Sequence, residues 1–152
     1  MVEKATELGA REIAVFSSER ADRVPRARAW EKRRDRLERV AAAAALQAGW
    51  GVPPRVSGVL AFEDVLSTPV PGHGYLLDPE ATTALDAALD RSPDGDAEVC
   101  LVIGPPAGFS RGEVAAAAEA GLSVVRLGDG VLRTETAAIS ALAVAVAIGA
   151  GR

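Results

Sequence analysis

Residues Glu98–Ile103 read Glu-Val-Cys-Leu-Val-Ile, an almost uninterrupted apolar run closed by Gly104-Pro105-Pro106-Ala107-Gly108. Such a run without polar alternation suits a strand buried on both faces, as in parallel sheets covered by helices. The residues after it agree. Ser110 with Glu113 three residues on forms a capping-box pattern that predicts a helix through Ala120, Gly121 ends it, and Leu122–Leu127 reads as the next strand. Upstream, the patterns predict a strand over Glu12–Phe16, a helix over Trp30–Gln47, a short strand over Tyr75–Leu77 and a helix over Glu80–Asp90 that stops before Ser92-Pro93-Asp94-Gly95. Beyond Gly128-Asp129-Gly130, Thr134 or Thr136 is placed to cap a final helix of Ala, Ile, Leu and Val, whose all-round apolarity implies burial. The alternation predicts an α/β fold with a mainly parallel sheet and helices on both faces.

At 152 residues the chain has the size of one domain. One His and one Cys exclude a disulfide framework and a multi-ligand His/Cys metal site, and 25% charged with 49% hydrophobic residues is not a disordered composition. The net charge of −4 is unevenly spread. Residues 1–39 carry 11 Lys and Arg against 8 Asp and Glu, whereas residues 40–152 carry 6 against 13. A polyanion, if one binds, would therefore approach the Arg20–Arg39 stretch, with Arg20, Arg23, Arg26 and Arg28 as candidate phosphate contacts. The interleaved Glu31, Asp35 and Glu38 equally suit a solvated charged helix. Met1–Gly9 lacks the apolar core of a secretory signal. The apolar run Ala137–Gly151, about 15 residues, is short of the ~20 a membrane span needs and reads as a buried helix. A cytoplasmic location is expected, and no membrane partner.

Ligands in open α/β sheets bind at the carboxyl ends of strands, which makes the loops Gly104–Gly108 and Leu127–Gly130 the candidate site. The chain contains no GxGxxG, GxxxxGK[ST] or HExxH pattern. His73 stands alone in the turn-like Pro71-Gly72-His73-Gly74 and reads as structural. Cys100 reads as a small buried thiol, Trp30 and Trp50 as packing residues, and Ser17, Ser18 and Ser110 lack a GxSxG context.

Taken as a set, several segments resemble the ribosomal RNA small subunit methyltransferase E family, a SPOUT-class family. They are Lys4-Ala5-Thr6-Glu7-Leu8-Gly9, Ser18-Glu19-Arg20, Ile103-Gly104-Pro105 with Gly108-Phe109-Ser110 and Glu113, Ala120-Gly121, and Leu127-Gly128 with Leu132-Arg133-Thr134-Glu135-Thr136-Ala137. The resemblance implies methylation of N3 of a uridine in 16S ribosomal RNA with S-adenosylmethionine, a deep C-terminal trefoil knot, and a homodimer acting on 16S rRNA or the 30S subunit. General topology rules would have disfavoured the knot. Carried over by position, the cofactor residues are Leu76, Leu77, Ile103, Gly104, Gly108, Leu127, Gly128, Val131, Leu132 and Thr136, and the catalytic ones Arg133, Thr134 and Glu135. No metal is implied, because the sulfonium is itself the electrophile.

The chain also departs from the family pattern. Pro106 and Ala107 stand where the family has an acidic residue and a glycine, Gly130 replaces an arginine, and Ala43-Ala44-Ala45-Leu46-Gln47-Ala48-Gly49-Trp50 keeps only the glutamine and alanines that the family favours there. The family's N-terminal PUA-like barrel is absent from this sequence, so residues 1–152 are expected to be the SPOUT methyltransferase domain alone. Two functions are compatible with these residues, a methyltransferase domain or a catalytically impaired knotted dimer serving as a binding or structural module.

Overall fold

The structure, a computed structural model, describes residues 1–21, 27–68, 72–90 and 98–150. In chain order the elements are α1 (Val2–Glu7), β1 (Glu12–Phe16), α2 (Ala27–Ala48), β2 (Arg55–Leu60), α3 (Phe62–Ser67), β3 (Gly72–Leu77), α4 (Leu85–Asp90), β4 (Glu98–Ile103), α5 (Arg111–Glu119), β5 (Ser123–Val125) and α6 (Thr134–Ala150). Each strand pairing is parallel: β1 with β2 in one sheet, and β3 between β4 and β5 in the other.

Alternation along β3 sorts the core into two faces. Tyr75 and Leu77 pack with Val125 against Leu85 and Leu89 of α4 and Ala141 of α6. Leu76, fully buried, packs on the other side with Val102, Phe62 of α3, and Phe109 and Ala117 around α5. The smaller sheet is covered by α1 and α2, through Val2, Trp30, Ala41 and Val56. The chain's three phenylalanines join the sheets: Phe16 stacks on Phe109 at 6.3 Å, and Phe62 lies 5.9 Å from Phe16 and 5.5 Å from Phe109.

The α/β architecture with parallel sheets and helices on both faces is as expected, and β1, β4 and the Ser110–Glu113 capping box fall where predicted. Other elements differ. The helix expected from Glu80 begins only at Leu85, because Asp78 accepts from the amide of Glu80 at 2.9 Å, and Thr83 and Ala84 pair with Arg126. The strand expected over Leu122–Leu127 is trimmed by the same pairing and by the Leu122 amide, which donates to Ala117 at the end of α5. His73 sits inside β3 opposite Val99 rather than in a turn. β2 and α3 lie outside the predicted elements: Arg-Val-Ser-Gly-Val-Leu is not an apolar run, and it is a strand through its pairing with β1. Burial of α6 is one-sided, with Ala141 wholly buried and Val146 43% exposed.

Candidate active site

The register places Leu77, Ile103 and Val125 in one row, so β3, β4 and β5 end together. Their exit loops must diverge from that row, and a cleft of about 180 Å³, open on one side, lies between them. Leu77, Asp78 and Pro79 line it from β3, Ile103 to Gly108 from β4, and Leu127, Gly130, Val131 and Leu132 from β5, with Thr134 and Ala137 of α6 closing the end.

Two local devices shape the walls. The Gly108 amide donates to Pro105 O at 2.8 Å, making a tight turn that Gly108 completes at φ 70°, a conformation costly for other residues. At Gly104 a Cβ would stand 3.0 Å from the Phe109 ring, so the loop backbone lies directly on the aromatic core. The third device is a crosslink. The Thr134 hydroxyl, instead of capping α6, donates to Gly104 O at 3.0 Å and ties the start of α6 to the β4 loop; Arg133 O receives the Ala137 amide in the first turn. Arg126 pairs with Asp129 at 2.7 Å within the β5 loop.

Of the expected cofactor residues, the cleft brings together Leu77, Ile103, Gly104, Gly108, Leu127, Val131 and Leu132. Leu76 points its side chain into the core, and Gly128 and Thr136 are exposed beside the cleft rather than lining it. Thr134 lines it, whereas Arg133 and Glu135, its exposed neighbours in sequence, are not among the lining residues. Arg20 reaches the rim from the loop after β1, its Nη1 donating to Ala107 O at 3.4 Å. Arg23 and Arg26 lie outside the described residues, and Arg28 falls in the first turn of α2 with its side chain likewise outside them. Asp78 and Pro79 are not singled out by sequence, and Ala137 appears there only in the segment that carries the resemblance and at the head of the final apolar run; the rule that located the other loops, applied to the end of β3, identifies Asp78 and Pro79. Burial, with the Glu12 charge, pushes the Cys100 thiol up, which suits a packing residue rather than a nucleophile. Trp30 is buried among core residues, and Trp50 packs over Gly9 and donates to Glu7 O.

Comparison with known proteins agrees with this architecture. The model of the RNA methyltransferase domain family matches residues 1–146. Among solved structures, a methyltransferase-class protein of Legionella pneumophila in complex with S-adenosylmethionine is 29% identical with a TM-score of 0.84, over 96% of this chain and 59% of that one. A ribosomal RNA small subunit methyltransferase E from Neisseria gonorrhoeae, also bound to S-adenosylmethionine, is 26% identical with a TM-score of 0.80, over 93% of this chain and 56% of that one. A protein of Porphyromonas gingivalis classed as an rRNA methyltransferase is 27% identical with a TM-score of 0.83, over 99% and 61%. The chain thus spans somewhat under two thirds of the length of these structures. The family match over nearly the whole chain, on a fold that these structures share, makes this chain a member of the RNA methyltransferase domain family.

Proposed function

We propose that the chain is the S-adenosylmethionine-binding part of an rRNA methyltransferase, and that it methylates N3 of a uridine in 16S ribosomal RNA within the 30S subunit. The observation that carries this reading is the cleft at the joined ends of β3, β4 and β5, crosslinked by Thr134 to Gly104. It is supported by the two matched structures that hold S-adenosylmethionine.

The residues present fit such a ligand. Leu77, Ile103, Leu127 and Leu132 offer apolar faces to a purine, and the loop backbones offer amides and carbonyls to its polar edges. At about 180 Å³ the cleft is smaller than the roughly 300–1,000 Å³ that encloses a small molecule, so it suits holding part of the cofactor and leaving the rest toward RNA. When bound, the cofactor supplies a methyl group activated by its sulfonium. The chain's contribution is alignment and charge. Arg133, exposed between the lining residues Leu132 and Thr134, is assigned as the cation for the anion that develops on uracil, and the Thr134–Gly104 bond fixes the backbone that carries it. Glu135 and Thr136, exposed in the first turn of α6 next to the lining residue Thr134, are assigned to positioning substrate.

The same reading carries a C-terminal trefoil knot of the SPOUT class, a homodimer and a cytoplasmic location. Among the described residues no helix is long and apolar enough to cross a membrane. Incubation with undermethylated 30S subunits and methyl-labelled cofactor tests the activity: label on N3 of a 16S uridine is expected. Cofactor binding without label, beside an active full-length relative, would overturn catalysis and leave a binding module.

A further inference from the structure

Among the described residues Glu113 is the one buried acidic side chain, 8% exposed. Its Oε2 accepts the Ser110 amide at 2.8 Å, and the Glu113 amide donates to Ser110 Oγ at 3.2 Å. That exchange satisfies the start of α5 and leaves one oxygen over. The remaining Oε1 accepts the Glu19 amide at 2.9 Å, across 94 residues of sequence. Burial opposes the ionised carboxylate, but the two amides, helped by the nearby Ser18 hydroxyl, outweigh it and hold Glu113 below the ordinary carboxylate range.

The loop it grips is short and anchored. Ser17 donates through its amide and hydroxyl to Leu60 O at 2.8 and 3.2 Å, and Ala21 N closes a turn on Ser18 O at 3.0 Å. The turn delivers Arg20 to the cleft rim, where among the described residues only a long 3.4 Å contact to Ala107 O engages the guanidinium. A guanidinium has five donors in a planar fork that matches phosphate, so most of its capacity faces outward. The alternative role for Glu113, helix capping alone, leaves the crosslink to Glu19 without a purpose.

We propose that Glu113 is a positioning residue that fixes the Ser18–Arg20 turn over the cleft, so that Arg20 grips a phosphate of the RNA strand whose base enters it. The inference rests on the RNA methyltransferase reading. It places the phosphate contact nearest the chemistry on a loop at the opposite end of the sequence from the α6 start, joined through one carboxylate.

The test compares wild type, Arg20→Ala, Glu113→Gln and the double variant, measuring Kd for undermethylated 30S subunits by filter binding and Kd for S-adenosylmethionine by calorimetry. Arg20→Ala is expected to weaken 30S binding about tenfold, the worth of one charge-assisted hydrogen bond, and to lower the slope of log affinity against log salt by about one. Cofactor affinity stays within about twofold, because Arg20 meets the rim on its outer side. Glu113→Gln keeps the volume but cannot accept both amides, and it should weaken 30S binding similarly, with no further loss in the double variant. Additive losses, or cofactor binding that weakens in step with 30S binding, would overturn the proposal. If the Gln variant does not fold, Arg20→Ala decides alone, since this side chain is exposed and unchanged 30S affinity would refute its role. Failure of the wild-type chain to bind S-adenosylmethionine or 30S subunits would sink the functional reading itself; wild-type binding with an indifferent Arg20 sinks only this inference.

Discussion

Among the described residues no hydrogen bond or ion pair engages the Arg133 side chain, which is exposed; its carbonyl, not its guanidinium, starts the hydrogen bonding of α6. Arg133→Ala should therefore leave the thermal midpoint and cofactor affinity unchanged while lowering methyl transfer by about a hundredfold or more, the usual cost of removing a group aimed at developing charge. A melting scan and a single-turnover assay separate the two; a lost midpoint would make Arg133 structural. Glu113 predicts a pH signature. Its folded pKa is lowered, so the stability it contributes is present above the unfolded value and is lost as pH falls through the folded one. Glu113→Gln should flatten the acid limb of a stability–pH curve below about pH 4.5, the region of an ordinary carboxylate, and an unchanged limb would mean the carboxylate is not held in charged form.

At the scale of elements, legibility tracks the range of the interactions. β4 is visible in the sequence because its later residues pack on both faces, Leu101 and Ile103 on one and Cys100 and Val102 on the other, and the start of α5 because a capping box is local. The start of α4 is not, since Asp78 and Arg126 decide it and Arg126 lies more than forty residues downstream of Thr83. The site divides the same way: glycine- and proline-bearing loops are legible, whereas Arg20 on Ala107 and Glu19 on Glu113 span 87 and 94 residues. Core elements should respond accordingly. Leu85, 1% exposed at the head of α4, joins Tyr75 and Val125, and Leu85→Ala should cost about 2–5 kcal/mol in denaturant titration. A cost under about 1 kcal/mol would place Leu85 outside the core. α6 makes the opposite case. Its apolar sequence with Val146 43% exposed leaves surface for a second copy to cover. Sedimentation tests the proposed dimer: wild type is expected to be dimeric and Val146→Asp monomeric, and a monomeric wild type would refute it.

On the scale of the whole molecule, three strands that end in one row create a cleft, two crosslinks from distant parts of the chain shape its rim, and an apolar helix closes one end. The basic residues of α2 (Lys32, Arg33, Arg34, Arg36 and Arg39) are all exposed and supply positive charge that an RNA backbone can use. Pro106 and Ala107, where the resemblance implies an acidic residue and a glycine, fall on exposed positions of the cleft rim, away from the apolar floor of Leu77, Ile103 and Leu127. This floor and its backbone edges are the proposed S-adenosylmethionine site. Calorimetric titration of the chain with S-adenosylmethionine and S-adenosylhomocysteine should find one saturable site per chain with a dissociation constant well below millimolar, and no heat of binding for either ligand at millimolar concentration would contradict that assignment.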